Sequence, residues 1–79
     1  MKQTRKTIAS SIAKRAINRC SALGLRGIKR DREAIALFAG AAYALEETGQ
    51  RDLADALITI LAFDVALHGY SSLAAIAGE

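Results

Sequence analysis

The sequence predicts an all-α protein: a small bundle of three main helices plus a short C-terminal helix, with a helical hairpin in the C-terminal two thirds. Three observations carry that expectation. Proline is absent and seventeen of the 79 residues are alanine, so helix formers dominate. Apolar residues recur at steps of three and four, and no alternating run lasts long enough for a strand. Glycines fall between the periodic stretches, where helices end.

The first helix is expected over about residues 5–23, closed by Gly24 in the left-handed conformation with Leu25 following. Ile8, Ile12, Ala16, Cys20 and Leu23 succeed one another at helical spacing, with Ala9, Ala13 and Ile17 beside them. Opposite them stand Thr7, Ser11, Lys14, Arg15 and Asn18, with Arg19 on the border, a basic and hydroxyl-rich outer side. The stretch LRGIKRDRE, Leu25 to Glu33, then reads as a basic connector holding Arg26, Lys29, Arg30 and Arg32.

A second helix follows over about 32–47, with Asp31 as its N-cap and Gly49 closing it. Ile35, Leu37, Phe38, Ala41, Ala42 and Leu45 form one apolar side. The other carries Ala36, Ala39, Gly40 and Tyr43, neither charged nor bulky. A helix apolar nearly all round is buried on two sides, so these four residues are the expected interface with a partner subunit. Tyr43 serves there as an anchor or, equally, in ordinary core packing.

The third helix is expected over about 51–68, with Gln50 or Asp52 near its start and Gly69 at its end. Leu53, Ala56, Leu57, Ile60, Leu61, Phe63 and Leu67 sweep a wide apolar arc, extended by Ile58 and Val65. Asp52, Asp55 and Thr59 mark the wet face. ALEETGQRDLADAL is then a tight turn between two antiparallel helices; it occurs once, so no repeat array follows. A last helix at about 72–77, capped by Ser71, packs or acts as a lid. The run from Ala56 to Leu67 is interrupted by Asp64 and falls short of the roughly 20 apolar residues a membrane span needs.

Seventy-nine residues make a single domain, 1–79. A chain this short buries only about 60% of its unfolded surface, and small chains add disulfides, a metal or a second subunit. One cysteine and one histidine give neither an intrachain disulfide nor a Cys/His zinc site, which leaves self-association, a dimer first. Cys20, on the apolar stripe, is expected to be a core residue, and a lone thiol fits a reducing, cytoplasmic setting. The N-terminus lacks the continuous apolar core of a secretory signal. It is basic and amphipathic, as a mitochondrial presequence is, but removing it would leave under about fifty residues to fold.

Charge is sharply divided. Residues 1–32 hold ten basic residues against Asp31, a balance of +9, and residues 33–79 hold Arg51 against seven acids, a balance of −6. Such asymmetry points to nucleic acid, a membrane surface or an acidic partner. Lys29, Arg30 and Arg32 stand near the positive end of the second helix, where each costs about 0.3–1 kcal/mol against the dipole. A local rule broken without local gain suggests function. The plainer alternative is a solvated hinge neutralised by Asp31, Glu33 or a partner's acids.

The expected anion-binding residues are therefore Lys14, Arg15, Asn18, Arg19, Arg26, Lys29, Arg30 and Arg32. Lys and Arg neutralise phosphates while Ser, Thr and Asn hydrogen-bond to them, which gives affinity with little sequence information. No helix-turn-helix spacing is evident, and no exposed aromatics are expected for base stacking. On a membrane, the basic helix lacks an aromatic anchor. Asp64 and His68, one turn apart, are expected to form a structural polar pair, with an arginine also answering Asp64. Catalysis there would need a nucleophile or metal that the sequence does not supply. The expected function is non-enzymatic, with no cofactor and no metal: a self-associating helical protein whose basic third binds nucleic acid. The alternative is an adaptor or inhibitor of a protein target, one that itself handles nucleic acid.

Overall fold

The computed structural model describes residues 5–78; Lys2 and Glu79, counted in the charge balance, lie outside them. The elements are α1 (Arg5–Ala22), α2 (Gly27–Glu47), α3 (Arg51–Thr59), a π-helical turn (Ile60–Val65), α4 (Ala66–His68) and α5 (Ser72–Ile76). No strand occurs among the described residues. The chain is a small all-α bundle, as expected.

Glycine ends both long helices in the same way. After α1, the Gly24 N–H donates to the Ser21 carbonyl and the Leu25 N–H to the Cys20 carbonyl, at 3.0 and 3.1 Å. After α2, the Gly49 N–H donates to Glu46 and the Gln50 N–H to Leu45, at 3.2 and 2.8 Å. Both are Schellman caps, which need a residue in the left-handed region, and Gly24 and Gly49 have φ of 86° and 87°. The turn at Gly24 carries Leu23 away from the core. That residue, expected at the end of the apolar stripe, is 71% exposed.

The largest correction concerns the basic connector. α2 begins at Gly27, about five residues earlier than expected, so Lys29, Arg30 and Arg32 lie in helix and only residues 23–26 connect it to α1. Asp31 is not an N-cap but a buried residue in the second turn. Arg26 takes the N-cap position in extended backbone without a side-chain cap bond. Lysine and arginine are good helix formers, so the segment continues the helix despite its unfavourable charge at the dipole. Gly27, at φ 63°, lets the chain reverse within four residues.

α3, the π-helical turn and α4 together occupy 51–68, the length expected of one helix. The π segment widens that rod at ILAFDV, and nothing in the sequence marked it. Ser71 takes the N-cap position of α5 but makes no cap bond; the bonded hydroxyl is that of Ser72, donating to the Gly69 carbonyl at 2.7 Å.

The core forms where α1 meets α2, α3 and α5. Ala9, Ala13, Ala16, Ile17 and Cys20 of α1 pack with Ala34, Phe38 and Ala42 of α2, Leu57 of α3, and Leu73 and Ala77 at the C-terminus. Alanine lets the helices approach closely, but it removes little apolar area from water. Five large side chains are fully buried, namely Phe38, Ile17, Leu57, Leu73 and Cys20, against eight large hydrophobics left exposed. The wide apolar arc expected on the third helix is therefore only partly covered: Ile58, Phe63 and Leu67 face out. The described residues have a radius of gyration of 11.9 Å, close to the roughly 12 Å of a packed chain this long, so this exposure is not a failure to collapse.

Candidate functional site

Two segments present the basic residues. On α1, Lys14, Arg15, Asn18 and Arg19 are all exposed, since the buried alanines at 9, 13 and 16 fix the opposite face inward. At the start of α2, Arg26, Lys29 and Arg32 are exposed and Arg30 is half-buried. α1 and α2 pack against one another on either side of the connector 23–26, which puts the end of α1 next to the start of α2.

The members of this set are not equivalent. Nε and Nη2 of Arg30 both donate to Oδ1 of Asp31, at 3.2 and 3.1 Å, so Arg30 answers a buried carboxylate. The Arg32 guanidinium lies 5.6 Å from the centre of the Tyr70 ring, a cation–π contact that ties α2 to the turn before α5. Among the described residues, no carboxylate pairs with Lys14, Arg15, Arg19, Arg26, Lys29 or Arg32.

Arg15, Asn18 and Arg19 also border a groove between α1 and α2, of about 490 Å³, floored by Ile12, Ala16, Leu37 and Ala41. Charge and apolar surface meet there. Leu37 leads onto the outer side of α2, where Ala36, Ala39, Gly40 and Tyr43, the expected interface residues, are all exposed.

One expectation about this surface is overturned. Exposed aromatics were not expected, yet Tyr43, Phe63 and Tyr70 are 68%, 61% and 42% exposed. Of the four aromatic residues only Phe38 is buried. The Arg32–Tyr70 contact was missed because their positions are brought together only by the tertiary fold.

Asp64 is half-buried in the π segment and His68 is exposed in α4. Among the described residues no hydrogen bond or ion pair joins them, nor does an arginine reach Asp64. The i→i+5 winding shifts the one-turn stacking on which the expected pair depended. Cys20 is buried, as its place on the stripe suggested, and burial pushes its thiol pKa up; Glu33 adds to the rise while Arg19 and Arg30 oppose it.

No group of three or more His, Cys, Asp or Glu side chains among the described residues is placed to hold a metal ion, and no helix is long and apolar enough to cross a membrane. In comparisons with models of known families, with curated proteins and with solved structures, the chain matches none.

Proposed function

We propose that this chain is a non-enzymatic helical protein that self-associates and binds nucleic acid through its basic N-terminal third. The observation that carries the reading is the set of six exposed cations, Lys14, Arg15, Arg19, Arg26, Lys29 and Arg32, on two adjacent helices, none with a carboxylate partner among the described residues. Phosphate attraction is the term such a surface supplies, and it comes with steep salt dependence and little base preference. Asn18, Ser11 and Thr7 add hydrogen-bonding groups on the same helix face. Self-association is supported by the eight exposed large hydrophobics of so small a chain.

The test reverses charge inside and outside the surface. Arg15→Glu with Arg19→Glu is expected to weaken binding to labelled DNA or RNA and to flatten its log–log salt slope by roughly 2, one unit per phosphate contact. Arg51→Glu, in the acidic part of the chain, is expected to leave the slope unchanged. Equal effects from the two variants would contradict the assignment.

A second reading is favoured by the groove alone. Its floor of Ile12, Leu37 and Ala41 beneath Arg15 and Arg19 suits an acidic protein segment with an apolar anchor. On that reading the chain is an adaptor or inhibitor, and a stoichiometric protein complex replaces affinity for free nucleic acid.

A further inference from the structure

The outer face of α2 has no partner among the described residues, and its side chains follow a pattern along its length. From Lys29, steps of four and three pass through Glu33, Ala36, Gly40, Tyr43 and Glu47, every one exposed. This is the spacing of a helix–helix seam. Leu37, Ala39 and Ala44 flank its middle and are exposed too. The middle is thus small and apolar, with Leu37 and Tyr43 as its two large side chains. The ends carry opposite net charge, Lys29 and Arg32 with Glu33 at one, Glu46 and Glu47 at the other.

Gly40 adds an independent observation. It sits inside the longest helix with ordinary helical φ, and a Cβ built on it meets no atom within 4 Å. Nothing among the described residues requires a glycine there. A second backbone crossing at close range does.

We infer that the outer face of α2 pairs with the same face of a second copy, antiparallel, about a two-fold axis near residues 38–39. This rests on the self-association reading above and adds to it the surface, the direction and the register. Lys29 then lies opposite Glu47 of the second copy and Ala36 opposite Gly40, with Arg32 and Glu46 near one another beside the seam. Lys29 and Glu47 are 18 residues apart, about 27 Å along the helix, so the opposed charges bracket the whole apolar middle. Parallel pairing sets lysine against lysine and glutamate against glutamate. Exposed ion pairs add little affinity singly, but like charges in register are costly, so the charges set the direction and the apolar middle supplies the adhesion.

The experiment uses the full chain without nucleic acid. Sedimentation equilibrium on the wild type is expected to give a dimer. Under mild oxidation, an equimolar mixture of Lys29→Cys and Glu47→Cys chains is expected to cross-link, because the two positions face one another on the seam. An equimolar mixture of Arg32→Cys and Glu46→Cys chains is expected to cross-link at least several-fold more than either alone. Native Cys20 is buried and does not compete. A monomeric wild type would overturn both the self-association reading and this inference. A dimer in which the Lys29→Cys and Glu47→Cys mixture and each of those chains alone stay unlinked would overturn the face while leaving self-association intact. A dimer in which Arg32→Cys alone links as well as its mixture with Glu46→Cys would overturn the direction.

Discussion

Replacing Gly40 by alanine separates the stability of the single chain from that of its assembly. A glycine inside a helix costs about 0.5–1 kcal/mol relative to alanine, through the backbone freedom lost on folding. At Gly40 nothing offsets the gain from removing that cost: φ is helical, the position is exposed, and the added methyl meets no atom within 4 Å. Gly40→Ala is therefore expected to stabilise the dilute, monomeric chain by about 0.5–1 kcal/mol, which for a domain of this size raises Tm by about 2–8 °C. At high concentration the sign is expected to reverse, because the methyl holds a second helix away from the seam. Urea titrations followed by circular dichroism, at protein concentrations either side of the dimer transition, read both effects. A dilute chain that loses stability on this substitution would refute the reasoning, since the outer face of α2 would then not be open.

Two further outcomes follow from the core. Phe38→Ala is expected to destabilise the fold by about 3–5 kcal/mol, because Phe38 is fully buried and its alanine neighbours are too small to refill the space; a loss below about 1 kcal/mol in denaturant titration would contradict the packing. The Cys20 thiol pKa is raised in the fold, chiefly by burial, so above about pH 8.5 the unfolded chain sheds its proton first and stability falls as pH rises further. The stability advantage of wild type over Cys20→Ala is accordingly expected to be constant at neutral pH and to shrink in alkali; an advantage unchanged into alkali would contradict it.

Much of the fold was legible because its signals are local. Gly24, Gly49 and Gly69 ended helices where their neighbours predicted, and the α1 stripe named Ala9, Ala13, Ala16, Ile17 and Cys20 as inward. The start of α2 was not legible because Asp31, a residue type that favours N-caps, makes no cap: Gly27 turns the chain, and Arg30 donates to Asp31 inside the helix. The π-helical turn gave no signal, since ILAFDV reads equally well at ordinary helical spacing. The candidate site was legible as a set of residues but not in its differences. Asp31 withdraws Arg30, and Tyr70 engages Arg32, through contacts that periodicity does not encode. Overcounting of the core had one cause. An alanine-rich helix has fewer large residues to bury than its apolar stripe suggests, and Leu23, Phe63 and Leu67 remain outside.

The most direct test of the central claim is fluorescence anisotropy of labelled duplex DNA, single-stranded DNA and RNA titrated with the wild-type chain between about 50 and 200 mM salt. With the four cations outside the α2 seam, Lys14, Arg15, Arg19 and Arg26, engaged, log K is expected to fall against log salt with a slope of about −4 per chain on duplex. No change in anisotropy at the lowest salt, or binding that ignores salt, would contradict the claim and leave the basic surface to a protein partner.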